Sequence, residues 1–71
     1  MTKSLALEGV SRLDTRAVEG SLQLMARHFE VSIDWRAGSG LLFRDFYVTI
    51  SGEDNAVTRA ELAVTYWWNH D

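Results

Sequence analysis

Two short runs of strand-type residues on either side of Ala37-Gly38-Ser39-Gly40 restrict this chain more than any other feature. In the first run Val31, Ile33 and Trp35 alternate with Ser32, Asp34 and Arg36, and strict apolar/polar alternation marks a strand with one dry face and one wet face. In the second, Phe46, Val48 and Ile50 take one face while Asp45, Tyr47, Thr49 and Ser51 take the other, and β-branched and aromatic residues suit a pleated surface. Leu41, Leu42 and Phe43 interrupt the alternation close to the turn. Two glycines in the connection allow positive φ at little steric cost, so the runs are expected to close as a β-hairpin with a loop of roughly 3–5 residues or a bulge.

Helical periodicity flanks the hairpin. Val18, Leu22, Met25 and Phe29 fall on one stripe at about 100° per residue, with Arg16, Glu19, Gln23 and Arg27 away from it, which predicts a helix from about Thr15 to His28. Asp14 is placed to cap it, with Leu13 positioned to staple onto Val18. Gly20 lies opposite the stripe. After the hairpin, Ser51-Gly52-Glu53-Asp54-Asn55 starts a second helix running to about Trp68, with Ser51 or Asp54 as cap. Val57, Ala60, Ala63, Val64, Trp67 and Trp68 gather on its inner side, whereas Leu62 and Tyr66 fall on the opposite side with Thr58, Arg59 and Asn69.

Residues Lys3 to Val10 form a candidate third strand, because Leu5 and Leu7 alternate with Ser4, Ala6 and Glu8 and Gly9 would end the run. A bare two-stranded ribbon is marginal without such further packing. The expected fold is therefore α+β: one domain over residues 1–71, two layers, helices on one face of a small antiparallel sheet, in the order αββα or βαββα. The other sheet face stays open, carrying Ser32, Asp34, Arg36, Tyr47 and Thr49, with Phe43 near the turn. Trp35, Phe46 and Trp67 are expected in the core.

Length makes stability the central problem, because a chain of 71 residues buries only about 60% of its unfolded surface. Cysteine is absent, so no disulfide relieves it, and with two histidines a structural zinc site is not expected. Large aromatic side chains or a second copy of the chain remain as staples, which makes a homodimer through Leu62 and Tyr66 a natural expectation. The start Met1 to Glu8 lacks the apolar run of a signal peptide, and no segment approaches the ~20 apolar residues of a membrane span. A cytoplasmic location without membrane association follows as the expectation.

No catalytic, cofactor or metal constellation emerges. His28 ends the first helix, where the dipole favours it. His70, between Asn69 and Asp71, sits at the chain end, where ligands are rarely held rigidly. Glu53 and Asp54 suit a first helical turn, and Gly38-Ser39-Gly40 joins two strands and does not lead into a phosphate-cradling helix. The chain is thus expected to be a non-enzyme.

Binding is what remains. The formal net charge of −3 disfavours nucleic acid as a whole-domain partner, but six of the seven cations are arginine, which suits planar recognition of carboxylates, phosphates and aromatic faces. A protein partner is the leading expectation, with Arg36, Arg44, Tyr47, Leu62 and Tyr66 as contact residues. Small phage or mobile-element inhibitors of host machinery, anti-CRISPR proteins among them, share this size, acidity and lack of chemistry. The alternative is a single-stranded nucleic-acid-binding module that stacks bases on the open sheet face through Tyr47 and Phe43 near Arg36 and Arg44. The run Val48-Thr49-Ile50-Ser51-Gly52 followed by Ala56, Val57 and Ala60 is loosely similar to the strand-to-helix step of KH-type domains, over about a quarter of the chain and without their GxxG loop.

Overall fold

The computed structural model describes residues 1–69. Strand β1 (Thr2–Ser11) leads through a 3-10 turn (Arg12–Asp14) into α1 (Thr15–Phe29); β2 (Ser32–Ala37) and β3 (Phe43–Ser51) form the hairpin, and α2 (Asp54–Asn69) closes the chain. The order is the expected βαββα, with the N-terminal strand present. β3 lies between β1 and β2 and is antiparallel to both. Both helices cover one face, α1 over β2 and α2 over β1 and β3, and pack on each other.

The alternation read from the sequence sets the layers. Leu7, Phe46, Val48 and Ile50 point to the helices and are at most 1% exposed; Val18 and Leu22 of α1 and Val57, Ala60 and Val64 of α2 meet them. Alanines at Ala56 and Ala60 let α2 approach the strands closely, and Met25, Phe29, Trp35, Trp67 and Trp68 form a partly buried margin around this centre. Trp35 and Trp67 therefore belong to the border of the core, and Phe46 to its middle.

Gly9 does not end β1. It takes φ +70° inside the strand, where the pairing with β3 shifts between Leu7 and Val10, and such a bulge uses the one residue type that adopts positive φ without a Cβ penalty. Its N–H donates to Asp45 Oδ1 at 3.1 Å. In the hairpin loop it is Gly40 that is needed for closeness. Gly38 and Gly40 are not among the positive-φ residues, but a Cβ on Gly40 would collide with the Phe43 carbonyl.

The helix ends depart from the simple expectation. Asp14 has helical backbone angles and makes no capping bond; Ser11 Oγ accepts from Leu13 N–H at 3.3 Å, so capping has moved upstream into the 3-10 turn. That turn swings Leu13 outward, 94% exposed, and no staple forms on Val18. At the start of α2 the side chain that caps is Glu53, whose Oε2 accepts from Ala56 N–H at 3.1 Å. α1 ends with Glu30 at φ 55°, ψ 47°; Val31 N–H reaches Ala26 O at 3.0 Å and Glu30 N–H reaches Arg27 O at 3.3 Å. This is a Schellman ending with glutamate where glycine is usual.

Candidate interaction surfaces

The five candidate contact residues fall on three separate surfaces. Arg36 and Tyr47 are directly opposite each other on β2 and β3, on the face without helices, and the Arg36 guanidinium lies 5.8 Å from the Tyr47 ring centroid. With Asp34, Trp35 and Thr49 they border a shallow hollow of about 330 Å³. Arg44 is opposite buried Val10, so the pleat turns it to the helix side at the hairpin end, away from Arg36. Its Nε is buried without a hydrogen-bond partner among the described residues. Leu62 and Tyr66 stand one turn apart on the outer side of α2, 64% and 66% exposed.

The open face is largely polar. Ser4, Ala6, Ser32, Asp34, Asp45 and Thr49 surround the Arg36–Tyr47 pair, so its carboxylates outnumber the single guanidinium. Stacked bases would find the Tyr47 ring there and, by strand parity, Phe43 at the hairpin end, but their phosphates would meet Asp34 and Asp45.

A fourth surface was not foreseen as one. Leu41, Leu42 and Phe43 at the hairpin end are 83%, 72% and 62% exposed, and Leu13, in the turn after β1, is 94% exposed. Arg12 draws the two segments together: its N–H donates to Leu42 O at 3.0 Å and its Nη1 to Leu41 O at 3.4 Å, while Ser11 pairs with Phe43. The broken alternation at Leu41-Leu42-Phe43 was the available signal. What could not be read was the outward turn of Leu13.

Titratable groups have local roles. His28 is exposed in the last turn of α1 and meets the Phe29 ring edge-to-face at 4.8 Å. Glu19 Oε2 accepts from Trp35 Nε1 at 3.1 Å, and Glu53 is engaged as a cap. Among the described residues no three His, Cys, Asp or Glu side chains are grouped to hold a metal ion, and no helix is long and apolar enough to cross a membrane. His70 and Asp71 lie outside the described residues. No protein-family model, curated protein or solved structure matches the chain.

Proposed function

We propose that the protein acts by binding another protein, without catalysing a reaction. The observation that carries this reading is the apolar hairpin end, where the consecutive Leu41, Leu42 and Phe43 are exposed, and exposed Leu13 follows the Arg12 that is hydrogen-bonded to Leu41 and Leu42, while the core is filled without them. Scattered surface hydrophobics are ordinary, whereas a contiguous group of large ones marks a contact surface. A protein pocket lined by apolar side chains suits such a projection. An anionic lipid surface suits it less, given a chain of net charge −3. The proposal includes the role of a phage or mobile-element inhibitor of host machinery, of which anti-CRISPR proteins are one kind, and size and acidity support it.

Affinity purification from the native host, with the recovered material split for protein and nucleic-acid analysis, tests the reading. A stoichiometric protein partner should survive nuclease and be lost in Leu42→Asp, whose circular dichroism should match the parent because the side chain is exposed. Recovery of RNA or DNA alone, sensitive to salt and lost in Arg36→Ala, would instead favour base stacking on the open face. A second protein surface, the Leu62–Tyr66 side of α2, suits a second copy of the chain or the same partner. Light scattering of Leu62→Glu against the parent separates the two.

A further inference from the structure

We propose that β2 pairs edge to edge with β2 of a second copy of this chain, antiparallel about a twofold axis at Trp35, extending the sheet to six strands. This does not rest on the partner-binding reading above, which uses other surfaces.

The two free edges of the sheet differ. β1 carries the Glu8–Gly9 bulge and a lysine, Lys3, both of which discourage pairing with another strand. β2 has no bulge, no proline and no lysine. Its outward groups can be assigned. Gly38 N–H donates to Asp45 O at 2.7 Å in continuation of the β2–β3 register, and in an antiparallel ladder alternate residues turn their N–H and C=O to the same neighbour. Arg36, Asp34 and Ser32 therefore face β3, leaving the backbone groups of Ile33, Trp35 and Ala37 on the open edge. The far side of the sheet agrees, since Met1 and Gly52 exchange hydrogen bonds at 3.1 Å, which turns the even residues of β3 to β1 and its odd residues to β2.

Only registers that set odd residues against odd residues satisfy these edge groups. Centring the axis on Asp34 places Asp34 against its own copy, and centring it on Arg36 places two guanidiniums together; like charges directly opposite are unfavourable. Centring it on Trp35 sets Asp34 against Arg36 of the second copy twice, and pairs Ile33 with Ala37 and Trp35 with Trp35 through the free backbone groups. Asp34 and Arg36 are both exposed and form no ion pair within the chain among the described residues. The charge pattern of the strand is thus self-complementary in one register.

The helix side suits the same axis. A groove of about 520 Å³ runs beside β2, lined by Gly20, Leu24, Arg27, Ile33 and Trp35 among others. Leu24 is 65% exposed there, and a Cβ on Gly20 would meet nothing within 4 Å. The axis brings the second α1 across this groove, so that Leu24 and Trp35 of each copy are covered by the other.

Sedimentation equilibrium on the full chain, from low micromolar to a few hundred micromolar, tests the proposal. The parent should approach twice the 8.1 kDa of one chain. Asp34→Arg makes every facing charge cationic and Arg36→Asp makes every one anionic, so each alone should associate on the order of tenfold more weakly or worse, with unchanged circular dichroism. Mixed in equal amounts, the two variants again place opposite charges at both facing pairs and should form a heterodimer. A parent that stays monomeric at the highest concentration overturns the proposal. So do single variants that dimerise like the parent, folded variants that fail to combine, or a dimer broken by Leu62→Glu and indifferent to Asp34 and Arg36.

Discussion

Phe46 and Tyr47 are neighbours in β3, and the pleat sends them to opposite sides of the sheet: Phe46 is 0% exposed beneath the two helices, Tyr47 47% exposed on the face without them. Around Phe46 stand Leu7, Val48 and Ile50, aliphatic side chains whose only favourable place is away from water. Around Tyr47 stand Ala6, Arg36 and Thr49, which suit water. The difference shows that the open face needs no cover for the fold to stand. The apolar surplus of the chain lies elsewhere: at the hairpin end, along the outer side of α2 and beside the free edge of β2. A search for partners belongs at the ends and edges of this molecule before its broad face.

The sharpest way to break the comparison is at Phe46. Phe46→Ala should cost about 3–5 kcal/mol, comparable with the whole stability of a domain this small, and thermal unfolding should lose its cooperative transition. A transition within a few degrees of the parent would mean that Phe46 is not the centre of the core. Trp35 sits on the border between the faces, half-buried, with its Nε1–H donated to Glu19. At concentrations low enough to keep the chain monomeric, Trp35→Ala should therefore be milder, about 2 kcal/mol, lowering the melting temperature by several degrees with cooperativity retained. Edge pairing through β2 covers Trp35, so the loss should grow toward that of Phe46→Ala as protein concentration rises, and a loss that large in the monomer would mean that Trp35 belongs to the centre of the core.

Period-two alternation made the hairpin and its faces legible in the sequence, and the 3.6-residue stripes did the same for both helices. These patterns record which side of an element meets the core, a property carried by many residues at once. The junctions were legible only in part, because each depends on a single backbone choice. Ser11 and Asp14 are both good capping residues, and only the 3-10 turn between them decides that Ser11 Oγ is used and Leu13 is turned outward. Gly9 reads equally as a stop or as a bulge until β3 is alongside to show the shift in register. Arg44 illustrates the limit for the candidate contacts. Its charge suggested the open face, but strand parity places it with Phe46, on the side opposite Arg36 and Tyr47.

The smallest effect belongs to Tyr47 itself, and it tests whether the open face is as indifferent to stability as its composition implies. Tyr47→Ala removes the ring beneath the Arg36 guanidinium, an exposed cation–π contact worth roughly 0.5–1 kcal/mol, together with packing of the half-exposed ring over its cross-strand neighbours Ala6 and Arg36. The loss should stay near 1 kcal/mol, read as a small shift in the denaturant midpoint at unchanged slope. It should not depend on protein concentration, because the proposed edge pairing runs through the backbone of β2 with Asp34, Trp35 and Arg36 and does not use the Tyr47 ring. A loss above about 2 kcal/mol exceeds what an exposed cation–π contact supplies and would show Tyr47 to be covered. If that loss grew with protein concentration, the cover would be a second copy lying across the open face, and the contrast between Phe46 and Tyr47 would hold only for the isolated chain.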